Sequence, residues 1–295
     1  MKILKTFALL TGGVALALSH TTSAIAKTDL LVYTAVEADE LKKFKKAFEA
    51  DYPDVNIKWV RDSTGIITSK LLAEKDNPKA DIVWGVAATS LLLLSQYNYF
   101  QGYAPKGVEK LEKKYYDTKN KPPLWVGQRA WIASVCYNTV EAGKHNLPLP
   151  TSWSDLTKAV YKGHVIMPNP NSSGTGFLDV SSWIQMQGEE KAWKYMDALH
   201  MNIARYTHSG SKPCKLAAKG EIPIGVSFAY RGAKSKNAGA PLEVIAPSEG
   251  VGWDLEAFGI VRNTKNLKAA KALADWSVTE KANRIYNEEY AVVAM

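Results

Sequence analysis

The chain has few of the residues that most often carry chemistry. It holds two cysteines and five histidines in 295 residues. Cys136 and Cys214 stand alone, without the spacing of a metal quartet or a neighbouring histidine, so neither a zinc site nor a Cys–His nucleophile is indicated. The histidines are scattered at 20, 145, 164, 200 and 208. No HExxH, GxSxG or Walker pattern occurs, which argues against the common hydrolase and nucleotide-binding classes. No catalytic residue, metal ligand or cofactor is therefore assigned. Apolar runs are short of the ~20 residues that span a bilayer. Blocks of five or six basic residues are missing too. KKFKK (42–46) places a phenylalanine at helical spacing and reads as an amphipathic face, so no nucleic-acid partner is expected.

The first residues read as a leader. Lys2 and Lys5 precede the apolar FALLTGGVALAL, and TTSAIA puts Ala24 and Ala26 at small-residue cleavage positions. This is the pattern of a secretory signal peptide over residues 1–26, and it implies a soluble periplasmic protein. Cleavage leaves 295 − 26 = 269 residues, and the net charge of +8 falls to +6 with the two leader lysines. In an oxidising compartment the two cysteines form a disulfide or stay as buried thiols, and the sequence does not choose.

The mature part alternates strand and helix patterns. DLLVYTA is rich in strand formers. EADELKKFKKAFEADYP repeats Leu41, Phe44, Ala47 and Phe48 at helical spacing up to Pro53. VNIKWV, IITSKLLAEKDNP, ADIVWG and SLLLLSQY continue as strand, helix, strand, helix. A second unit follows: AWIASVCYNT as strand, SWSDLTKAVYKG as helix, HVIMPNP as strand, then helices through WKYMDALH. SKPCKLAAKGE reads as helix, IPIGVSFAY and EAFGIV as strands, and LKAAKALADWSV and EKANRIYNEE as closing helices. This order predicts an α/β fold with parallel sheets, in two units without a flexible linker. Two such units predict a cleft at the carboxyl ends of the strands.

The residues at those ends are the candidate site. NPNSSGTGF (169–177) runs into a helix near Thr175, where Ser173, Gly174 and Thr175 offer amides and hydroxyls to an anion. Ordinary capping explains the same residues. Ser63 and Thr64 of DSTG repeat the arrangement in the first unit. Glu37, after YTA, is either a first-turn acid or a carboxylate for a ligand cation. Asp254, beside Trp253, is a second acid, and Tyr230 and Thr34 are supporting contacts. Tyr230 and Arg231 are expected at the end of a strand. Asp62 and Glu256 read as turn and strand-surface residues.

VYTAVEADELKKFKKAFE, WVRDSTGIITSKLLAEKDNPKADIVWG and MPNPNSSGTGF resemble the extracytoplasmic substrate-binding proteins of ABC importers, in the branch that includes ferric-ion-binding proteins. VCYNTVEAGK, ALHMNIARYTHSGSKPCKLAAKGE and SFAYRGAK are most similar to the 2-aminoethylphosphonate-binding group. The resemblance covers essentially the whole mature chain. It implies a two-lobe type II periplasmic binding protein, with residues 27–131 and 253–295 in lobe 1 and 132–252 in lobe 2. It also implies a hinge that closes on ligand, a membrane permease as partner, and a monomer. Iron binders of this branch carry a histidine after the first strand and adjacent tyrosines later. Glu37 and Phe228-Ala229-Tyr230 stand there instead, so the anion half of the site is kept and the metal half replaced. The expected ligand is a small zwitterionic organophosphonate such as 2-aminoethylphosphonate. Ferric ion, phosphate or a phosphate ester is the alternative, and a serine-dependent secreted hydrolase a remote one. Relatives of this group continue past the point matching Met295, so a final packing element is expected beyond YAVVAM.

Overall fold

The computed structural model describes residues 27–295. The leader assigned to 1–26 lies outside the described residues. The first unit folds as expected: β1 (Thr28–Thr34), α1 (Ala38–Asp51), β2 (Val55–Arg61), α2 (Thr64–Ala73), β3 (Ile82–Ala87) and α3 (Ala88–Ser95). β1 pairs in parallel with both β2 and β3. β3 is apolar and buried along its whole length, as a strand covered on both faces must be.

The second unit begins with the 13-residue β4 (Val126–Asn138), followed by α4 (Thr139–Lys144), β5 (Val165–Pro168), α5 (Gly174–Gln187) and α6 (Glu189–His200). Then come β6 (Ile203–Thr207), α7 (Lys212–Ala218), β7 (Ile224–Phe228), α8 (Ala229–Asn237) and β8 (Leu242–Ile245). β9 (Trp253–Ile260) returns the chain to the first unit, where α9 (Leu267–Ser277) and α10 (Glu280–Asn287) pack. Strand order among the described residues is β2-β1-β3-β9-β4-β7-β5-β6, with β8 on β4.

β4 joins the two units. Its first half pairs antiparallel with β9, and its second half with β7 and β8. Each unit has its own apolar core. Phe44 and Phe48 of α1 meet Trp84, Tyr286 and Trp276 in one, with Phe44–Trp84 edge to face at 5.3 Å. Trp153, Trp183 and Tyr195 interlock in the other. Burying each such ring contributes roughly 2–3 kcal/mol. Two cores joined by paired strands can rotate as bodies while each stays packed.

Three local expectations are corrected. SWSDLTKAVYKG forms two 3-10 turns, Ser154–Thr157 and Ala159–Tyr161, instead of one helix. Asn202 Nδ2 donates to the carbonyls of Leu156 and Lys158, which a continuous helix would have used itself. Leu242–Ile245 is an additional strand. Tyr230 and Arg231 lie in the first turn of α8, because β7 stops at Phe228. The apolar run Phe228-Ala229-Tyr230 suits a strand end and a helix start equally, so periodicity could not separate them.

The cysteine question is decided by the fold. Cys136 on β4 and Cys214 on α7 are fully buried and joined as a disulfide across a sequence separation of 78.

Candidate functional site

Between the two cores lies a cavity of about 60 Å³. Its walls come from the carboxyl ends of β1, β2, β3, β5, β6 and β7, where open α/β sheets present their ligands. The first unit, the lower lobe, supplies Ala35, Glu37, Arg61, Ser63, Thr64, Gly85 and Ala87. The second unit, the upper lobe, supplies Ser173, Gly174, Thr175, Ser209, Gly210, Ser211 and Phe228. Trp131, Glu256 and Tyr290 line it from the joining strands and the C-terminal segment.

The lobes meet directly here. The Gly65 amide donates to the Ser172 carbonyl across the cleft at 3.0 Å. A side chain on Gly174 would stand 2.8 Å from Thr64 Cβ, and one on Gly65 would strike the backbone of Asn171 and Ser172. The glycines are there for close approach, which brings the N-termini of α2 and α5 against one another. Two positive helix ends then face one space.

Ser173 serves both readings of its loop. Its Oγ accepts the Thr175 and Gly176 amides at 3.2 and 3.3 Å, which is an N-cap. Those two amides are therefore spent inside the protein. Gly174 and Thr175 line the cavity with Ser63 and Thr64, and no hydrogen bond inside the protein uses the Gly174 amide among the described residues. Ser209, Gly210 and Ser211 add to this polar lining. Sequence reading missed them. They stand after β6 in THSGSK, a turn-rich stretch of the same small hydroxyl and glycine character as the other two loops.

Glu37 lies at the cavity edge, but its carboxylate is taken. Arg231 donates to it at 2.6 Å and Lys215 at 3.1 Å, both from the upper lobe, while Arg61 stands at 3.7 Å. Asp39 joins the same cluster through Arg231 and Lys234, each at 3.1 Å. Burial raises the Asp39 carboxyl, but the hydrogen bonds and charge of Arg231 and Lys234 outweigh it and hold it well below the usual carboxylate range. Glu37 thus acts as an inter-lobe ion pair. His208 and Asp62 make a second cross-cleft contact at 2.7 Å.

Three other expected contacts sit off the cavity. Thr34 is fully buried, and its Oγ1 accepts the Val36 amide at 3.1 Å. Asp254 accepts from the Thr89 hydroxyl and the Leu255 amide, each at 2.7 Å, and so caps the start of α3. Tyr230 stacks on Tyr290 at 4.4 Å, and its hydroxyl accepts from Lys234 at 2.9 Å.

A second acid lines the cavity beside Glu37, namely Glu256 of β9. Its Oε2 accepts from Arg129 Nε at 2.7 Å, and Tyr290 Oη donates to its Oε1 at 3.4 Å. Arg129 is 1% exposed and also holds Glu40 in a two-pronged pair at 2.7 and 3.2 Å. Burial pushes the Glu256 carboxyl up, Arg129 pulls it back, and Glu40 and Glu37 raise it again, to about 7. The alternating pattern of β9 hid this residue, because one inward acid on a strand looks like an outward one.

Known proteins carry the same arrangement of lobes. A family model described as bacterial extracellular solute-binding protein matches residues 77–294. A Haemophilus influenzae protein described only as uncharacterized is 30% identical over 265 residues, 89% of this chain and 76% of that one. A probable ABC transporter periplasmic-binding protein of Sinorhizobium fredii is 25% identical, over 75% of this chain and 62% of its own length. The periplasmic binding protein AfuA from Actinobacillus pleuropneumoniae, solved with exogenous fructose-6-phosphate bound, superposes with a TM-score of 0.85 at 29% identity. It covers 92% of this chain and 85% of its own. Iron-bound HitA from Pseudomonas aeruginosa superposes at 0.76 with 17% identity, over 90% and 85% of the two chains, a likeness of fold. The two-lobe type II architecture is common to these structures. The chain belongs to the bacterial extracellular solute-binding protein family, and it is an extracytoplasmic solute-binding protein of the ABC-importer type, not an enzyme.

Proposed function

We propose that this binding protein captures a small organophosphonate with an ammonium tail, of the 2-aminoethylphosphonate type, and hands it to a membrane permease. The observation that carries this reading is the convergence of neutral donors from both lobes, at Ser63, Thr64, Gly174 and Thr175, around one small cavity where their loops touch. Neutral hydroxyls and amides at paired helix ends suit a phosphonate dianion. Arg61 adds a cation at the rim. The same cavity is lined by a carboxylate, Glu256. A cavity of about 60 Å³ admits a molecule of a few heavy atoms, because one water already needs some 10–15 Å³ on this measure. An iron site is less well supported. Tyr230 directs its hydroxyl to Lys234, and among the described residues no group of three His, Cys, Asp or Glu side chains is arranged to hold a metal.

A second reading is a sugar phosphate. It is favoured by the likeness to the structure solved with fructose-6-phosphate. The same hydroxyls would hold its phosphate, and the lobes would stand further apart.

Calorimetric titration with 2-aminoethylphosphonate, inorganic phosphate, fructose-6-phosphate and ferric citrate decides among these. Tightest binding of the aminophosphonate is the expected result. Binding of fructose-6-phosphate without the aminophosphonate transfers the assignment to sugar phosphates. Iron binding alone overturns both.

A further inference from the structure

We propose that Glu256 selects the ligand's tail, its carboxylate receiving an ammonium group beside the Trp131 and Phe228 rings, while Glu37 serves closure only. This rests on the organophosphonate reading above and assigns its selectivity to a residue.

Under the cavity floor Arg129 is shared between two acids, Glu40 and Glu256. One guanidinium against two carboxylates leaves a net charge of −1 where Arg129 and Glu40 are almost fully buried. A buried uncompensated charge is costly, so it takes up either a proton or a cation. Glu256 is the member of the trio that faces the cavity. Burial, helped by the charges of Glu40 and Glu37, raises its carboxyl despite Arg129.

The surroundings favour an ammonium over a hydroxyl. Trp131 and Phe228 both line the cavity and pack edge to face at 6.1 Å. Aromatic walls beside a carboxylate attract an organic cation through the ring quadrupole as well as the charge. Tyr290 contributes its hydroxyl rather than its ring. One face of that ring is stacked by Tyr230 and Arg129 lies over the ring at 3.9 Å. Glu37 offers a ligand cation nothing comparable. Arg231, Lys215 and Arg61 already surround it, and an ammonium there would add a fourth positive charge.

The test is a titration series at pH 8 with 2-aminoethylphosphonate, 2-hydroxyethylphosphonate and ethylphosphonate. The intact protein is expected to prefer the amine by about 100-fold, the scale of a desolvated charge pair. Glu256→Gln is expected to weaken the amine alone and bring the three ligands within about fivefold of each other. Equal affinities in the intact protein overturn the proposal, and so does a variant that weakens all three alike. The ligand series decides without the variant should Glu256→Gln not fold beside Arg129. If no phosphonate binds at all, the organophosphonate reading itself has failed, which is distinct from phosphonates binding without preference for the amine.

Discussion

At the scale of single residues, two acids look alike in sequence and differ in role. Glu37 sits at the start of α1 with three cations around it. Removing its charge leaves Arg231 with Asp39 as its remaining acidic partner. Glu37→Gln is expected to weaken aminophosphonate and alkylphosphonate equally, by about tenfold, because it removes a cross-lobe pair and not a ligand contact. Titration of both ligands checks this; loss confined to the amine would return Glu37 to the binding site. Glu256 carries the pH dependence. Its carboxyl is raised by burial to about 7, so it is mostly protonated below that pH and mostly ionised above it. An ammonium favours the ionised form, so affinity for the amine is expected to rise as pH rises through about 7. The ratio of affinities for aminoethylphosphonate and ethylphosphonate isolates this effect from the ionisation of the phosphonate itself. Without ligand the sign is opposite. A raised carboxyl contributes stability that is fully present below its ordinary range and is lost as pH rises through about 7. Ligand stabilisation is therefore largest on the alkaline side.

At the scale of elements, the contact between α2 and α5 is the most exacting part of the site. Both helices begin with small residues, and their first turns touch through Gly65 and Gly174. Gly65→Ala separates folding from closure. Alanine favours a helix over glycine by up to about 1 kcal/mol, so the unliganded protein keeps or raises its melting temperature. The new methyl strikes the backbone of Asn171 and Ser172 once the lobes close. Ligand affinity is expected to fall at least about tenfold, read by calorimetry beside a thermal melt. Unchanged affinity would mean that the lobes do not meet at this point when ligand is bound. The glycines and hydroxyls of these loops were legible in the sequence. Their mutual contact was not, since Ser172 lies 172 − 65 = 107 positions after Gly65.

At the scale of the whole molecule, a hinged pair of cores predicts strong linkage between ligand and stability. A ligand that binds only the closed form stabilises by about 2.7 kcal/mol at 100 times its dissociation constant. A rise in melting temperature that saturates with aminophosphonate is expected, and no rise with phosphate-free amines such as ethylamine. The disulfide acts on the upper lobe alone. Cys136–Cys214 closes a long loop, worth about 4.5 kcal/mol in the chain-entropy account. Reduction, or replacement of both cysteines by serine, is expected to lower the melting temperature, with ligand restoring part of the loss. A melting temperature indifferent to reductant would show that the buried packing of the two residues suffices.

The sequence by itself determined the alternating α/β elements, the two units and the polar loops at their strand ends. Those features follow from local chemistry: apolar periodicity sets helix or strand, and glycine with serine or threonine starts a turn. It did not reveal that Tyr230 opens a helix, that Asp254 caps α3, or that Thr34 is bound to its own strand end. Only the tertiary structure decided which of the two cavity acids is already surrounded by cations. Glu37 and Glu256 differ through what surrounds them, namely cations from the opposite lobe in one case and a shared, buried arginine in the other. Charges brought together by folding set that difference, and no window of neighbouring residues contains them.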